Sequence, residues 1–212
     1  MVKLLTLYTR ALGLGLTLLA TAASAASAGE PISARECTTT IVAPSDVILF
    51  DMWQPPTTPG TSFFPFFEAA LNADGTGYRS LVRFTNPAPP STGTCAWVLS
   101  LPAAEFGHLI LQGLPADTAP VLLAFYGVDA AAPYAPGDGL AGFALRPGPY
   151  GVNAIHPGTQ VVHAEPCAQI GTDVFVRIPE WITEAQWVFW RQDIQPGNAT
   201  ASLGIYLQVQ QC

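Results

Sequence analysis

Residues 78–101 read YRSLVRFTNPAPPSTGTCAWVLSL, and the fold prediction starts from this stretch. Tyr78–Thr85 has the two-residue alternation of a β-strand, because neighbouring side chains of a strand point to opposite faces. Asn86–Gly93 is rich in proline, serine and glycine, as turns are. Cys95–Leu101 is a short apolar run of the length of a buried strand. The stretch therefore predicts a strand, a turn and a second strand.

The same pattern repeats along the chain and predicts an all-β, antiparallel β-sandwich or jelly roll of about ten short strands. Besides the two strands above, we expect strands at Thr38–Val42, Asp46–Trp53, Val121–Val128, Leu140–Leu145, Gln160–His163, Asp173–Ile178, Gln186–Arg191 and Leu203–Gln210. Short helices are predicted only at Pro65–Leu71 and Ala103–Leu111. Two segments rich in proline, glycine and aromatic residues, Gln54–Phe67 and Ala130–Gly151, are interpreted as long surface loops.

The composition agrees with a packed, turn-rich domain. Half of the residues are hydrophobic and only 11% are charged, which excludes an intrinsically disordered chain. The 19 glycines and 20 prolines interrupt the sequence too often for long helices.

The first residues have the organisation of a signal peptide. Lys3 and Arg10 precede the apolar run Ala11–Ala20, and small residues follow up to Ala28. We therefore interpret residues 1–28 as a signal peptide, cleaved after Ala25 or Ala28, and residues 29–212 as a single β-sandwich domain. The apolar run is shorter than the roughly 20 residues of a transmembrane helix, so no membrane span is expected. The predicted location is secreted, extracellular or in the cell wall.

Removal of the signal peptide makes the chain strongly acidic. Six arginines then face 15 acidic residues, a formal net charge of −9. Binding to nucleic acid or to anionic membrane surfaces requires clusters of basic groups, so neither is expected as a partner.

Four cysteines remain in the exported chain, and an even number in an oxidising compartment predicts two disulfides. Three connectivities are possible. We favour Cys95–Cys167 and Cys37–Cys212, because a cysteine at the last residue ties down a chain end that would otherwise fray. No two cysteines have the close spacing of a zinc site, and we expect no metal and no cofactor.

The C-terminal part carries a family resemblance. Pro166-Cys167, the stretch Trp190–Asp193 (WRQD), and Leu203–Leu207 (LGIYL) follow one another with strands and a proline turn between them. Together with Phe84–Leu101, these motifs make residues 78–212 similar to the fungal family named for the C-terminal domain of a ubiquitin-binding protein (the But-two family). The resemblance implies a secreted or cell-wall-associated fungal β-sandwich without assigned catalytic residues, and it favours the same disulfide pairing.

Aromatic residues and one sequon are the candidate functional positions. Trp181 and Trp53 are candidate contacts for sugar rings, because an indole ring can stack on the apolar face of a sugar. In Gln186–Arg191, both alternating sets of side chains are largely apolar, which favours a strand buried on both faces. Asn198-Ala-Thr200 is a candidate N-glycosylation site in a predicted turn.

Signals for catalysis are weak. A glycan-active hydrolase would need two carboxylates facing one cleft, and Glu180 or Glu184 with Asp193 are the only acids near the tryptophans of the C-terminal third. The three histidines, His108, His156 and His163, lie in no nucleophile motif and lack the spacing of a metal site.

The sequence thus favours a secreted, non-enzymatic β-sandwich protein that binds a cell-wall polysaccharide or a surface protein. No catalytic residue is assigned. A glycan-active hydrolase and a host-directed secreted effector are the alternatives.

Overall fold

The computed structural model describes residues 37–86, 88–106, 110–112 and 120–212. These residues form two antiparallel β-sheets joined by loops and short helical turns, which confirms the predicted all-β sandwich. The strands are β1 Thr38–Val42, β2 Asp46–Asp51, β3 Thr61–Ser62, β4 Phe66–Leu71, β5 Gly77–Arg83, β6 Thr94–Leu101, β7 Ile110–Gln112, β8 Leu122–Gly127, β9 Gly151–Ala154, β10 Gly158–Pro166, β11 Asp173–Arg177, β12 Gln186–Arg191 and β13 Gly204–Gln211. The helical segments are α1 Ala103–Phe106, α2 Cys167–Ile170 and a 3₁₀ turn at Ala199–Ala201.

The smaller sheet has four strands in the order β1-β13-β6-β10. The larger sheet has nine, in the order β7-β12-β4-β5-β11-β8-β9, with β2 paired to β5 and β3 paired to β2. Within the part of the chain that the structure describes, no helix is long and apolar enough to cross a membrane.

The main core lies between the two sheets. Trp97 and Ile205 enter it from the smaller sheet, and Phe67, Val82 and Trp190 enter it from the larger one. The rings of Phe67 and Trp190 stack with their centroids 4.1 Å apart. Each large apolar side chain buried in this way stabilises the fold by about 2–3 kcal/mol.

The motifs that carry the family resemblance meet inside this core. The buried side chain of Gln192 accepts hydrogen bonds from Trp190 Nε1 at 3.3 Å and from the backbone N–H of Ile205 at 2.8 Å. Gly204 makes room for it, because a Cβ atom there would lie 1.7 Å from Gln192 Oε1. The Gln of one motif and the Gly-Ile of the other therefore act together to join the two sheets, which is a structural role.

A second apolar cluster covers part of the outer face of the larger sheet. Phe50 and Phe175 of the sheet contact Tyr134 and Phe143 of the loop that precedes β9. This loop includes Leu140–Leu145, for which we predicted a strand. That prediction is wrong, since only Leu145 makes an isolated bridge, to Val128. Its apolar side chains serve to cover the sheet rather than to extend it.

Both predicted disulfides are confirmed. Cys95 lies in β6 and bonds to Cys167 at the start of α2, and Cys37 bonds to Cys212 beside the β1–β13 ladder. Two disulfides are typical of extracellular proteins, which agrees with the predicted compartment. The predicted signal peptide, residues 1–28, lies outside the described residues.

The predicted helix at Pro65–Leu71 is wrong: Phe66–Leu71 forms β4 and pairs with β12. Phe67 and Ala69 point into the core, while Phe66, Glu68 and Ala70 alternate with them, which is the pattern of a strand. The predicted helix at Ala103–Leu111 is correct only for the single turn α1, because the chain forms β7 from Ile110.

Candidate functional site

The candidate site is a cleft of about 320 Å³ at the end of β4 and the start of β12, chosen because aromatic side chains and a carboxylate line it together. Glu68 and Ala70 of β4 form its base, and Trp187 of β12 forms one side. Trp53, from the turn after β2, and Tyr78 of β5 complete the aromatic lining. We call this cavity the aromatic cleft. It combines three large aromatic side chains with one carboxylate, which is the usual composition of a small-ligand site.

Glu68 is held on the cleft side by the alternation of β4. It is only 9% exposed, and its Oε1 atom accepts a hydrogen bond of 2.8 Å from Trp187 Nε1. Burial raises the pKa of the Glu68 carboxyl above its ordinary value, and the bond from Trp187 lowers it in part. The bond uses one carboxylate oxygen and orients the indole ring, so the second oxygen can accept a hydrogen bond from a ligand.

Trp53 and Tyr78 form the opposite wall. Their rings meet edge to face with centroids 5.3 Å apart. The backbone N–H of Trp53 donates to Asp51 Oδ1 at 2.8 Å, which fixes the turn that carries the indole. Trp53 is 52% exposed, so its ring is available to a ligand. Burial raises the pKa of the Tyr78 hydroxyl, with smaller contributions from the negative charges of Asp51 and Glu68.

The base of the cleft depends on a close approach between β4 and β5. Gly77 has a φ of +148°, and a Cβ atom at this position would lie 2.1 Å from the backbone oxygen of Ala70. Only glycine allows the two strands to meet here, and the next residue is Tyr78 of the cleft wall.

One face of β12 differs from the sequence-based expectation. Val188 and Trp190 are buried in the core as predicted, but Trp187 and Phe189 on the other face are only half-buried, and Arg191 is exposed. The expectation of a strand buried on both faces is therefore wrong. Among the described residues, Phe63 and Phe66 pack on Phe189, and the aromatic side chains of this face remain partly accessible.

The two tryptophans predicted to contact a ligand have different positions. Trp53 lines the aromatic cleft. Trp181 is 60% exposed in the segment between β11 and β12, and it is not part of the cleft lining. Glu68, Tyr78 and Trp187 belong to the cleft but were not predicted as site residues. A glutamate within the apolar run FFEAAL was the available signal for Glu68.

The acids considered for hydrolysis do not line the aromatic cleft. Glu180 forms ion pairs with Arg177 and, at 3.7 Å, with Arg79, beside a second cavity of about 350 Å³. Glu184 is exposed, and Asp193 accepts a hydrogen bond from Gln195 Nε2 at 2.8 Å. Among the described residues, Glu68 is the one carboxylate that lines the aromatic cleft, whereas glycoside hydrolysis uses a pair.

The sequon lies in an exposed turn before β13. Asn198 Oδ1 accepts hydrogen bonds from Thr200 Oγ1 at 2.9 Å and from the backbone N–H of Ala201 at 3.2 Å. The amide nitrogen that would carry a glycan is not the atom used in these bonds.

Of the histidines, His156 and His163 are described and His108 is not. His163 stacks on Tyr150 with the ring centroids 4.0 Å apart. Within the described ranges, no group of three or more His, Cys, Asp or Glu side chains is arranged to hold a metal ion.

Comparison of the chain with protein-family models, with curated proteins and with solved structures finds no match. The resemblance of residues 78–212 to the fungal But-two family therefore stays a prediction.

Proposed function

We propose that this protein is a secreted, non-enzymatic glycan-binding module whose binding site is the aromatic cleft. One observation carries the proposal: Trp53, Tyr78 and Trp187 surround the buried carboxylate of Glu68 in a single cleft.

This combination suits a sugar because a sugar ring is both apolar and polar. The C–H groups of its faces pack on aromatic rings, and its hydroxyl groups donate hydrogen bonds to a fixed acceptor. The half-exposed Trp53 offers a face for stacking, while the free oxygen of Glu68 offers an acceptor. The indole of Trp187 is already oriented by Glu68, so less conformational entropy is lost on binding.

The proposed setting is the outside of a fungal cell or its wall. The signal peptide predicted at residues 1–28, the family resemblance and the two disulfides support it. We further propose that Asn198 carries an N-glycan, because its sequon lies in an exposed turn. The ligand would then be a polysaccharide of a cell wall.

The test is an array of fungal and plant cell-wall glycans probed with the purified mature protein. We expect binding that Trp187→Ala and Trp53→Ala each weaken by tenfold or more, about 1.4 kcal/mol or more. Trp181→Ala is the matched control for Trp53→Ala, because it removes an indole of similar exposure, 60% against 52%, that lies outside the cleft.

Three results would contradict the proposal. Binding that is lost only in Trp181→Ala would move the site to the segment between β11 and β12. Release of reducing ends from a bound glycan would favour the hydrolase alternative. No binding to any glycan would favour a protein-directed role, such as that of a secreted effector.

A further inference from the structure

A strip of side chains continues from the aromatic cleft along the outer face of β4 and β12. In the β4–β12 register, the paired positions of the strip are Ala70 with Trp187, Glu68 with Phe189, and Phe66 with Arg191. Trp187 and Arg191 are four positions apart, which corresponds to about 13 Å along a strand. We call this surface the β12 strip. It is longer than one sugar ring.

The middle of the β12 strip is aromatic and partly accessible. The rings of Phe66 and Phe189 are nearly parallel, with centroids 5.5 Å apart, and Phe63 contacts both. Phe66 is 36% exposed and the neighbouring Phe64 is 47% exposed. Contiguous exposed aromatic side chains on a folded domain are characteristic of a binding surface.

Arg191 ends the strip and differs from the other arginines of the described residues. Arg79, Arg83, Arg146 and Arg177 each form an ion pair with a carboxylate. Arg191 is exposed, and no ion pair engages it in the part of the chain that the structure describes. In a chain with so few basic residues, an unpaired guanidinium beside an aromatic surface points to an anionic group on the ligand.

We propose that the aromatic cleft and the β12 strip bind an acidic polysaccharide, in which Arg191 recognises the carboxylate of a uronic acid residue. This inference rests on the proposed glycan-binding function and defines the class of glycan. Trp187 and Phe189 contact successive sugar rings, and the planar guanidinium of Arg191 donates two parallel hydrogen bonds to one carboxylate.

The net negative charge of the chain does not prevent this contact. At physiological ionic strength, charges more than about 8 Å apart on the surface are largely screened. The nearest acid along the chain, Asp193, accepts a hydrogen bond from Gln195. Glu68, the carboxylate of the strip itself, is 9% exposed and accepts a hydrogen bond from Trp187 Nε1, whereas Arg191 is exposed, so Arg191 is the charged group of the strip that a ligand carboxylate meets.

The test is isothermal titration at physiological salt with short oligouronides and with the same oligomers after reduction of each carboxylate to a hydroxymethyl group. The two probes differ only at this group, which is an anionic carboxylate in one and a neutral hydroxymethyl group in the other. We expect wild-type protein to bind an oligouronide more tightly than its reduced form. Arg191→Gln should weaken oligouronide binding by about three- to tenfold and leave the reduced form unaffected. Arg191→Lys should retain part of the difference, because it keeps the charge but loses the paired donors.

The outcomes separate this inference from the proposed function. If reduced oligomers bind as tightly as oligouronides and Trp187→Ala abolishes that binding, the cleft binds neutral glycans and the inference about Arg191 is wrong. Equal affinities of Arg191→Gln and wild-type protein for the oligouronide also refute the inference. Tighter binding of a sulfated oligosaccharide than of any oligouronide would overturn the assignment of a uronic acid, because the recognised group would then be a sulfate ester. If no oligomer binds to wild-type protein, both proposals fail.

Discussion

The disulfide that closes the shorter loop, Cys95–Cys167, should contribute more to stability than Cys37–Cys212, which closes the longer one. Cys37–Cys212 joins residues 175 positions apart, and Cys95–Cys167 joins residues 72 apart. Loss of loop entropy from the unfolded chain stabilises the fold by about 5 kcal/mol for the longer loop and about 4 kcal/mol for the shorter one. Loop length alone therefore ranks Cys37–Cys212 first.

The structure reverses this order. Cys37–Cys212 holds β1, which among the described residues is an edge strand paired to β13 alone and has one buried side chain, that of Val42. Without this disulfide, β1 can detach while the core stays folded, so the loss is limited to the local stability of one short strand. Cys95 and Cys167 are both buried in the main core, and their removal also leaves a cavity. We expect Cys95→Ala/Cys167→Ala to cost at least about 4 kcal/mol and Cys37→Ala/Cys212→Ala less than about 3 kcal/mol.

Urea denaturation and calorimetry of the two double variants would measure this difference. For a domain of this size, 1 kcal/mol corresponds to about 2–4 °C in Tm, so the Cys95–Cys167 variant should melt at least about 8 °C below wild type. Hydrogen exchange in the Cys37–Cys212 variant should increase only in β1 and the end of β13. A greater loss for that variant, or faster exchange throughout its core, would refute the reasoning.

Three further predictions concern single positions. Burial raises the pKa of Glu68, so its ionised form destabilises the fold at neutral pH, and we expect Glu68→Gln to be more stable than wild type in urea denaturation at pH 7. This stability difference should shrink as the pH falls through the raised pKa toward the ordinary pKa of a glutamate, and a difference that stays constant with pH would contradict the prediction. Phe67→Ala removes the ring stacked on Trp190 and should cost about 3–5 kcal/mol by the same assay, whereas a loss below about 1 kcal/mol would show that the core tolerates the cavity. Protein secreted from a eukaryotic host should migrate faster on a gel after N-glycosidase treatment, and Asn198→Gln should abolish this shift in migration. A shift that persists in the variant would place the glycan on another residue.

Sequence reasoning succeeded where local pattern and tertiary environment agree. Gln186–Arg191 and Thr38–Val42 are strands with the predicted bounds, because their apolar residues and flanking turns suffice to identify them. It failed at Phe66–Leu71, where FFEAAL lacks the β-branched residues of most strands and resembles a short helix. Pairing with β12 and burial of Phe67 overrode this local preference.

The candidate site was only partly predictable for a related reason. Trp53 could be singled out from the sequence as an aromatic residue next to a loop. Its partners Glu68, Tyr78 and Trp187 come from three different strands, and their distance along the chain says nothing about their proximity. Trp187 was expected in the core because the sequence shows that both faces of β12 are apolar, but not which face another layer covers.

The sequence by itself determined the all-β class and the cysteines that form the two disulfides, and it predicted an extracellular compartment. These features depend on local periodicity, on composition and on the small number of possible cysteine pairings. The tertiary structure alone decided that Trp187, Phe189 and Arg191 lie on a partly exposed face, that Glu68 is buried and bonded to the indole of Trp187, and that Trp181 lies outside the cleft. The physical reason is that exposure and neighbourhood depend on the order and register of strands, which long-range pairing sets and which the alternation of side chains within one strand does not contain.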